Sequence, residues 1–126
     1  MIEFNIFNND DSDCSKSSGL VRKNYHRDLN SDLHVMEIIF PPEFYYGRHY
    51  HKTRDELYIL VKGTLEITRF TKDAIEVIKL SKTGNNSYLC LSPEHHSVRN
   101  PSKKKPAVVF EVRRGPFEPS DTVKLF

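Results

Sequence analysis

His49 and His51 stand one residue apart, and Glu56 follows after a gap of four residues. On an extended strand, positions i and i+2 face the same side, so both imidazoles point one way, one pleat apart. The intervening residues suffice for a short turn that returns the Glu56 carboxylate towards the rings. A third imidazole, His96, opens a later strand-like segment with Asn100 four residues on. Three neutral imidazoles and a carboxylate are a donor set for one divalent transition metal ion, iron, manganese, nickel or zinc, with positions left open for water or substrate. Convergence on one ion would place the donor atoms at about 2.0–2.3 Å from it. Four unconnected polar residues on strand ends are the bland alternative, and the order and spacing of the two segments weigh against it.

Other side chains near these segments could serve a ligand. Leu57 to Val61 is an apolar run with β-branched and aromatic members, which reads as a buried strand ending at Gly63. If Glu56 faces the interior of a sheet, Tyr58 and Leu60 share that face, so Tyr58 is the candidate acid or base. Tyr45 has the parity of His49 and His51 and ranks second, with Tyr46 and Tyr50 read as wall or rim. Arg48 and Arg54 flank the motif and could hold an anionic substrate, or simply be solvated. His95 alternates away from His96 and is read as a rim residue. On the last strand, Val108, Phe110 and Val112 are expected inward, which turns Glu111 and Arg113 outward. Cys90 reads as core packing and Lys103-Lys104-Lys105 as a solvated loop.

The elements that must position these residues are strands. Expected strands cover His34 to Phe40, Phe44 to His51, Leu57 to Lys62, Thr64 to Thr71, Ala74 to Leu80, Tyr88 to Leu91, His96 to Arg99 and Pro106 to Arg113. Leu65 and Ile67 are assigned inward by alternation. Pro41-Pro42 stops the first of these strands, because proline cannot donate to a ladder and restricts the residue before it. Leu20 to Ser31 has poor periodicity and is read as irregular. Short strands with turn signals between them, and no helical period, predict an antiparallel sandwich or barrel.

The two histidine segments resemble the paired motifs of the cupin superfamily. The first motif is matched at His49, His51, Glu56 and Gly63 with correct spacing. The second is matched at His96 and Asn100, with Leu91 and Pro93 at its proline and glycine positions. Glu43 falls where a glycine usually opens the first motif. The lead-in from Arg22, with Pro42 at its turn, and the stretch Phe110 to Phe117 resemble the WbuC-type cupin metalloproteins. That resemblance covers about residues 20 to 120. It implies a double-stranded β-helix, or jelly-roll barrel, over residues 20–126, preceded by an N-terminal strand and polar loop over 1–19. It implies His49, His51, Glu56 and His96 as metal ligands. It further implies a place in bacterial surface-polysaccharide (O-antigen) biosynthesis, with a sugar or nucleotide-sugar substrate. Cupins also include non-catalytic members, so a binding or sensing module is the competing expectation.

Composition sets the outer bounds. A chain of 126 residues is one domain with one core. A net charge of +2 is too small to predict nucleic-acid binding, and no stretch approaches the length of a membrane span. With no visible export signal and two cysteines in dissimilar surroundings, Cys14 and Cys90, a reducing cytoplasm is expected. Ile2, Phe4 and Ile6 share a strand face. An apolar strand on a polar leash could pair with a neighbouring subunit's sheet edge, so a homodimer is expected.

Overall fold

The computed structural model describes residues 13–15, 19–28, 32–115 and 119–125. Among them are eleven strands: β1 (Asp13–Ser15), β2 (Leu20–Asp28), β3 (Leu33–Phe40), β4 (Tyr45–His51), β5 (Asp55–Lys62), β6 (Thr64–Phe70), β7 (Ile75–Ser81), β8 (Ser87–Cys90), β9 (His95–Arg99), β10 (Ala107–Arg114) and β11 (Thr122–Lys124). One 3₁₀ turn, Pro119–Asp121, precedes β11. Two antiparallel sheets form, in the orders β1-β2-β3-β10-β5-β8 and β11-β4-β9-β6-β7. The architecture is the expected all-β jelly-roll barrel. The expected apolar strand at residues 2–7 and the tail at Pro116 and Phe117 lie outside the described residues.

Alternation along each strand decides what the barrel encloses. β3 buries His34, Met36, Ile38 and Phe40, while β5 buries Glu56, Tyr58 and Leu60. On β10 the buried residues are Ala107, Val109 and Glu111. Register then sorts these by polarity. Ala107 lies opposite Phe40, Val109 opposite Leu60, Glu111 opposite Met36 and Tyr58, and Arg113 opposite His34 and Glu56. One end of the barrel is therefore apolar, closed by Leu65, Ile67, Phe44 and Val98 with the aliphatic ends of β3, β5 and β10. The other end gathers the buried ionisable side chains.

Three expectations are corrected here. Glu111 and Arg113 face inward and Val108, Phe110 and Val112 outward, where Phe110 meets Tyr25 of β2 at 5.6 Å between ring centroids. The hydrophobic-inward rule failed because the inward charges pair with one another. Leu20 to Asp28 is not irregular but a nine-residue strand. Its pattern is broken by a bulge between Asn24 and His26, and pairing with β3 holds it in place. Asp13–Ser15, read as part of a polar loop, pairs with β2.

Two turns fix the ends of the site-bearing strands. Gly63 has φ +85°, and an added Cβ would sit 2.6 Å from the Pro106 carbonyl oxygen, so only glycine fits this turn. Glu43, at the position where the motif has glycine, adopts φ +62°. The left-handed conformation is kept although the residue is not glycine.

Asn100 ties the loops at the apolar end together. It is fully buried, with its amide nitrogen 3.2, 3.1 and 2.9 Å from the carbonyl oxygens of Phe40, Pro41 and Lys105. Its Oδ1 accepts from Ser102 N–H at 3.0 Å. Asn100→Ala leaves several buried carbonyls without a donor, and we expect a loss of about 2–4 kcal/mol. The check is a lowered urea midpoint at an unchanged m value. A midpoint within error of wild type would refute this role.

Candidate metal site

His49 and His51 project inward from the end of β4, Glu56 from the start of β5 and His96 from β9. His49 lies directly across from His96 in the sheet. One donor atom from each of the four residues lies within 4.8 Å of all the others, and each residue is at most 4% exposed. Ring centroids are 4.2 Å apart for His49 and His96, 5.1 Å for His49 and His51, and 5.5 Å for His51 and His96. Glu56 Oε1 lies 2.7 Å from His51 Nε2 and 3.6 Å from His96 Nε2.

The imidazoles are oriented for ligation. His49 Nδ1 lies 2.8 Å from the Gly47 carbonyl oxygen and His96 Nδ1 lies 3.1 Å from that of Glu94. A carbonyl only accepts, so Nδ1 carries the proton in both rings and the Nε2 lone pair faces the cluster. His51 Nδ1 has Thr122 Oγ1 at 3.0 Å. Anchoring the far nitrogen to an oxygen is the arrangement that fixes tautomer and ring direction in metal-binding histidines. Burial, then the nearby His96, pushes His49 down to about 3, and burial lowers His51 as well. His96 is pushed down by burial, but the Glu56 carboxylate outweighs that and raises it. Neutral His49 and His51 beside an ionised carboxylate are the protonation states that a cation needs, and ligation would displace the proton that Glu56 favours on His96. These residues fit one transition metal ion.

Behind the four donors lies a buried charge network that the sequence did not announce. Burial drives Glu56 upward, yet hydrogen bonds with Glu111, His51 and His96 and the Arg113 charge hold it well below the usual carboxyl range. Arg113 Nε is 3.2 Å from Glu56 Oε2 and also pairs with Glu111. Glu111 is pushed up to about 8, chiefly by burial. Tyr58 donates to Glu56 Oε1 at 3.1 Å. Its own phenol is raised well above its ordinary value by burial and the Glu56 and Glu111 charges, so at neutral pH it is a fixed donor.

The structure separates the other candidates. Tyr45 is 63% exposed. A bulge between Tyr46 and His49 shifts the parity of β4, so Tyr46 takes the inward place and meets His49 edge-on at 4.5 Å. Arg48 is exposed on the outer face, against His95 Nδ1 at 3.1 Å and over the Phe70 ring at 4.7 Å. His95 stacks on Tyr50 there. Arg54 instead turns inward and is buried, with Nη2 2.9 Å from His51 Nδ1. A second possible group, Cys90, Glu94 and His96, is already partnered: Glu94 accepts from Tyr88 at 2.7 Å and faces Arg69 at 2.7 Å, and burial holds the Cys90 thiol protonated.

Two residues from the chain's far end complete the cluster. β11 pairs with β4 and sets Thr122 opposite His51. Asp121 Oδ1 accepts from Thr53 N–H at 2.9 Å and from the Thr53 hydroxyl at 2.7 Å, while Oδ2 accepts from Arg54 N–H at 3.2 Å. That carboxylate fixes the turn carrying Arg54. A sequence signal for either residue is hard to name, because only the β11–β4 register brings them here.

No family model and no curated protein matches the sequence. Among solved structures, the chain is similar to the capsular polysaccharide assembling protein CapF from Staphylococcus aureus, with a TM-score of 0.77 and 19% identity over 90% of this chain and 32% of that one. It thus spans about a third of the length of CapF. Oxalate oxidase in complex with the substrate analogue glycolate gives a TM-score of 0.66 and 14% identity, over 90% and 58% of the two chains. The Cnp3 cupin domain of Schizosaccharomyces pombe gives 0.64 and 13%, over 75% and 64%. The chain has the cupin fold. Among the described residues, no helix is long and apolar enough to cross a membrane.

Proposed function

We propose that this cupin-fold chain holds one divalent transition metal ion and acts on a small sugar-derived molecule in the assembly of a surface polysaccharide. One observation carries the metal: a donor atom from each of three buried imidazoles and a buried carboxylate lies within 4.8 Å of the others, with each imidazole's Nδ1 beside an oxygen. The ion would be held by His49, His51, Glu56 and His96. When bound it would supply a Lewis acid able to polarise a carbonyl or hydroxyl oxygen. The polysaccharide assignment is supported by the WbuC-like resemblance and by the likeness to CapF, whose name ties that protein to capsular polysaccharide.

The chain's own residues define what else happens there. Tyr58 and Arg113 hold the Glu56 carboxylate in one orientation. Thr122 holds the His51 ring. The apolar end of the barrel closes one side of the site to water. A second reading, a non-catalytic module that captures a ligand through the metal, is favoured by the tightly held Tyr58 proton, which weakens the nearest acid–base candidate.

Elemental analysis of the purified chain, with turnover assays on nucleotide-sugars, separates the readings. We expect about one metal per chain in the wild type, none in His51→Ala, and turnover lost with the metal. Absence of metal from both would refute the site. Metal-dependent ligand binding without turnover of any nucleotide-sugar would move the assignment to the binding module.

A further inference from the structure

Arg54 is a buried cation whose donors are not settled by the residues around it. Its side chain is 9% exposed and springs from the turn fixed by Asp121. Nη2 lies 2.9 Å from His51 Nδ1 and 3.2 Å from Thr122 Oγ1. Nε lies 3.5 Å from Glu56 Oε2 but makes no hydrogen bond among the described residues.

Metal loading would disturb the His51 contact. A guanidinium only donates, so Arg54 can bond to His51 Nδ1 only while the ring proton sits on Nε2. Ligation through Nε2 needs the lone pair there, which puts the proton on Nδ1, where Thr122 Oγ1 can accept it. Two N–H groups would then face each other across the 2.9 Å contact, which leaves Arg54 the Thr122 hydroxyl alone as acceptor and its Nε still without one.

Formal charge points to what the missing acceptor is. Arg54 and Arg113 balance Glu56 and Glu111 before any ion enters. With the buried Asp121 carboxylate beneath the Arg54 turn also counted, a divalent ion leaves an excess of one positive charge where its four ligands are at most 4% exposed. Charge left uncompensated at such depth is strongly disfavoured.

We infer that Arg54 anchors a small carboxylate-bearing ligand seated beside the metal. The inference rests on the metal reading above and names the class of ligand for that site. A carboxylate presents two coplanar oxygens to the guanidinium fork, and the rest of the molecule can offer an oxygen to the ion. The burial of the four ligands keeps the ligand small. In a polysaccharide setting, a sugar acid has this chemistry.

The test uses the full chain loaded with cobalt(II), whose visible bands report on ligands entering its coordination sphere. Glycolate, its uncharged analogue glycolamide and inorganic phosphate are titrated against wild type, Arg54→Gln and Arg54→Lys, with calorimetry as a second readout. Glycolate is expected to shift the bands and to bind wild type about 10- to 100-fold more tightly than glycolamide. Arg54→Gln should keep its cobalt and lose about the same factor for glycolate, and Arg54→Lys should recover only part of it. Cobalt uptake with equal affinity for glycolate and glycolamide, with phosphate preferred, or with glycolate binding unchanged in Arg54→Gln overturns the inference alone. The two-probe comparison is made on wild type and stands whatever the variants' folding. A wild-type chain that takes up no cobalt overturns the metal reading, and this inference with it.

Discussion

Stripping metal from the purified protein with a chelator is expected to lower its melting temperature by about 12–20 °C. The ligands come from the consecutive strands β4 and β5 and from β9 far downstream, so the assembled site exists only in the folded chain. A ligand that binds the native state alone stabilises it by about 4 kcal/mol at a free concentration 1,000 times its Kd. For a chain of 126 residues, each kcal/mol moves the midpoint by roughly 3–5 °C. His96→Gln should melt at one temperature with or without chelator, because a ligand at the centre of the cluster is gone. Coincident wild-type curves, with metal loss confirmed by elemental analysis, would defeat the claim.

The donor residues were legible because their strands are regular where it matters. His49 and His51 share a face through period-two alternation, and β5 runs without a break from Glu56 through Tyr58 to Leu60, so one assignment carried the other two. The same reasoning failed at Tyr45, where a bulge inside β4 resets the parity before the histidines are reached. β2 was hidden for a related reason, since a bulge interrupts a strand already rich in polar residues. Glu111 and Arg113 were misplaced because a pattern rule cannot see that one inward cation pairs with two inward carboxyl groups. Thr122, Asp121 and the inward turn of Arg54 depend on a register between segments some seventy residues apart, which no local pattern encodes.

The inward charges set the other large effect. Arg113 bridges Glu56 and Glu111 within the barrel, and its own proton is held more tightly by those two carboxylates against the opposing effect of burial. Arg113→Met keeps the bulk and removes the cation, leaving two buried carboxyl groups to share one proton. Breaking a buried pair in this way costs about 3–5 kcal/mol, which should appear as a lower denaturant midpoint in chelated protein. Glu111→Gln isolates the proton itself. Glu111 titrates near 8 in the folded chain and near its ordinary 4.5 when unfolded. The unfolded chain therefore binds fewer protons across that window, and stability falls as pH rises through it. His49, lowered to about 3, and His51, also lowered, act oppositely, but both are present in the variant and drop out of the comparison. His96, raised from 6.5, slopes the same way as Glu111 and keeps its slope in the variant. Between pH 6.5 and 8, metal-free wild type should lose about 1–2 kcal/mol more than Glu111→Gln. Parallel stability curves for the two proteins over that range would show that Glu111 is already ionised at neutral pH.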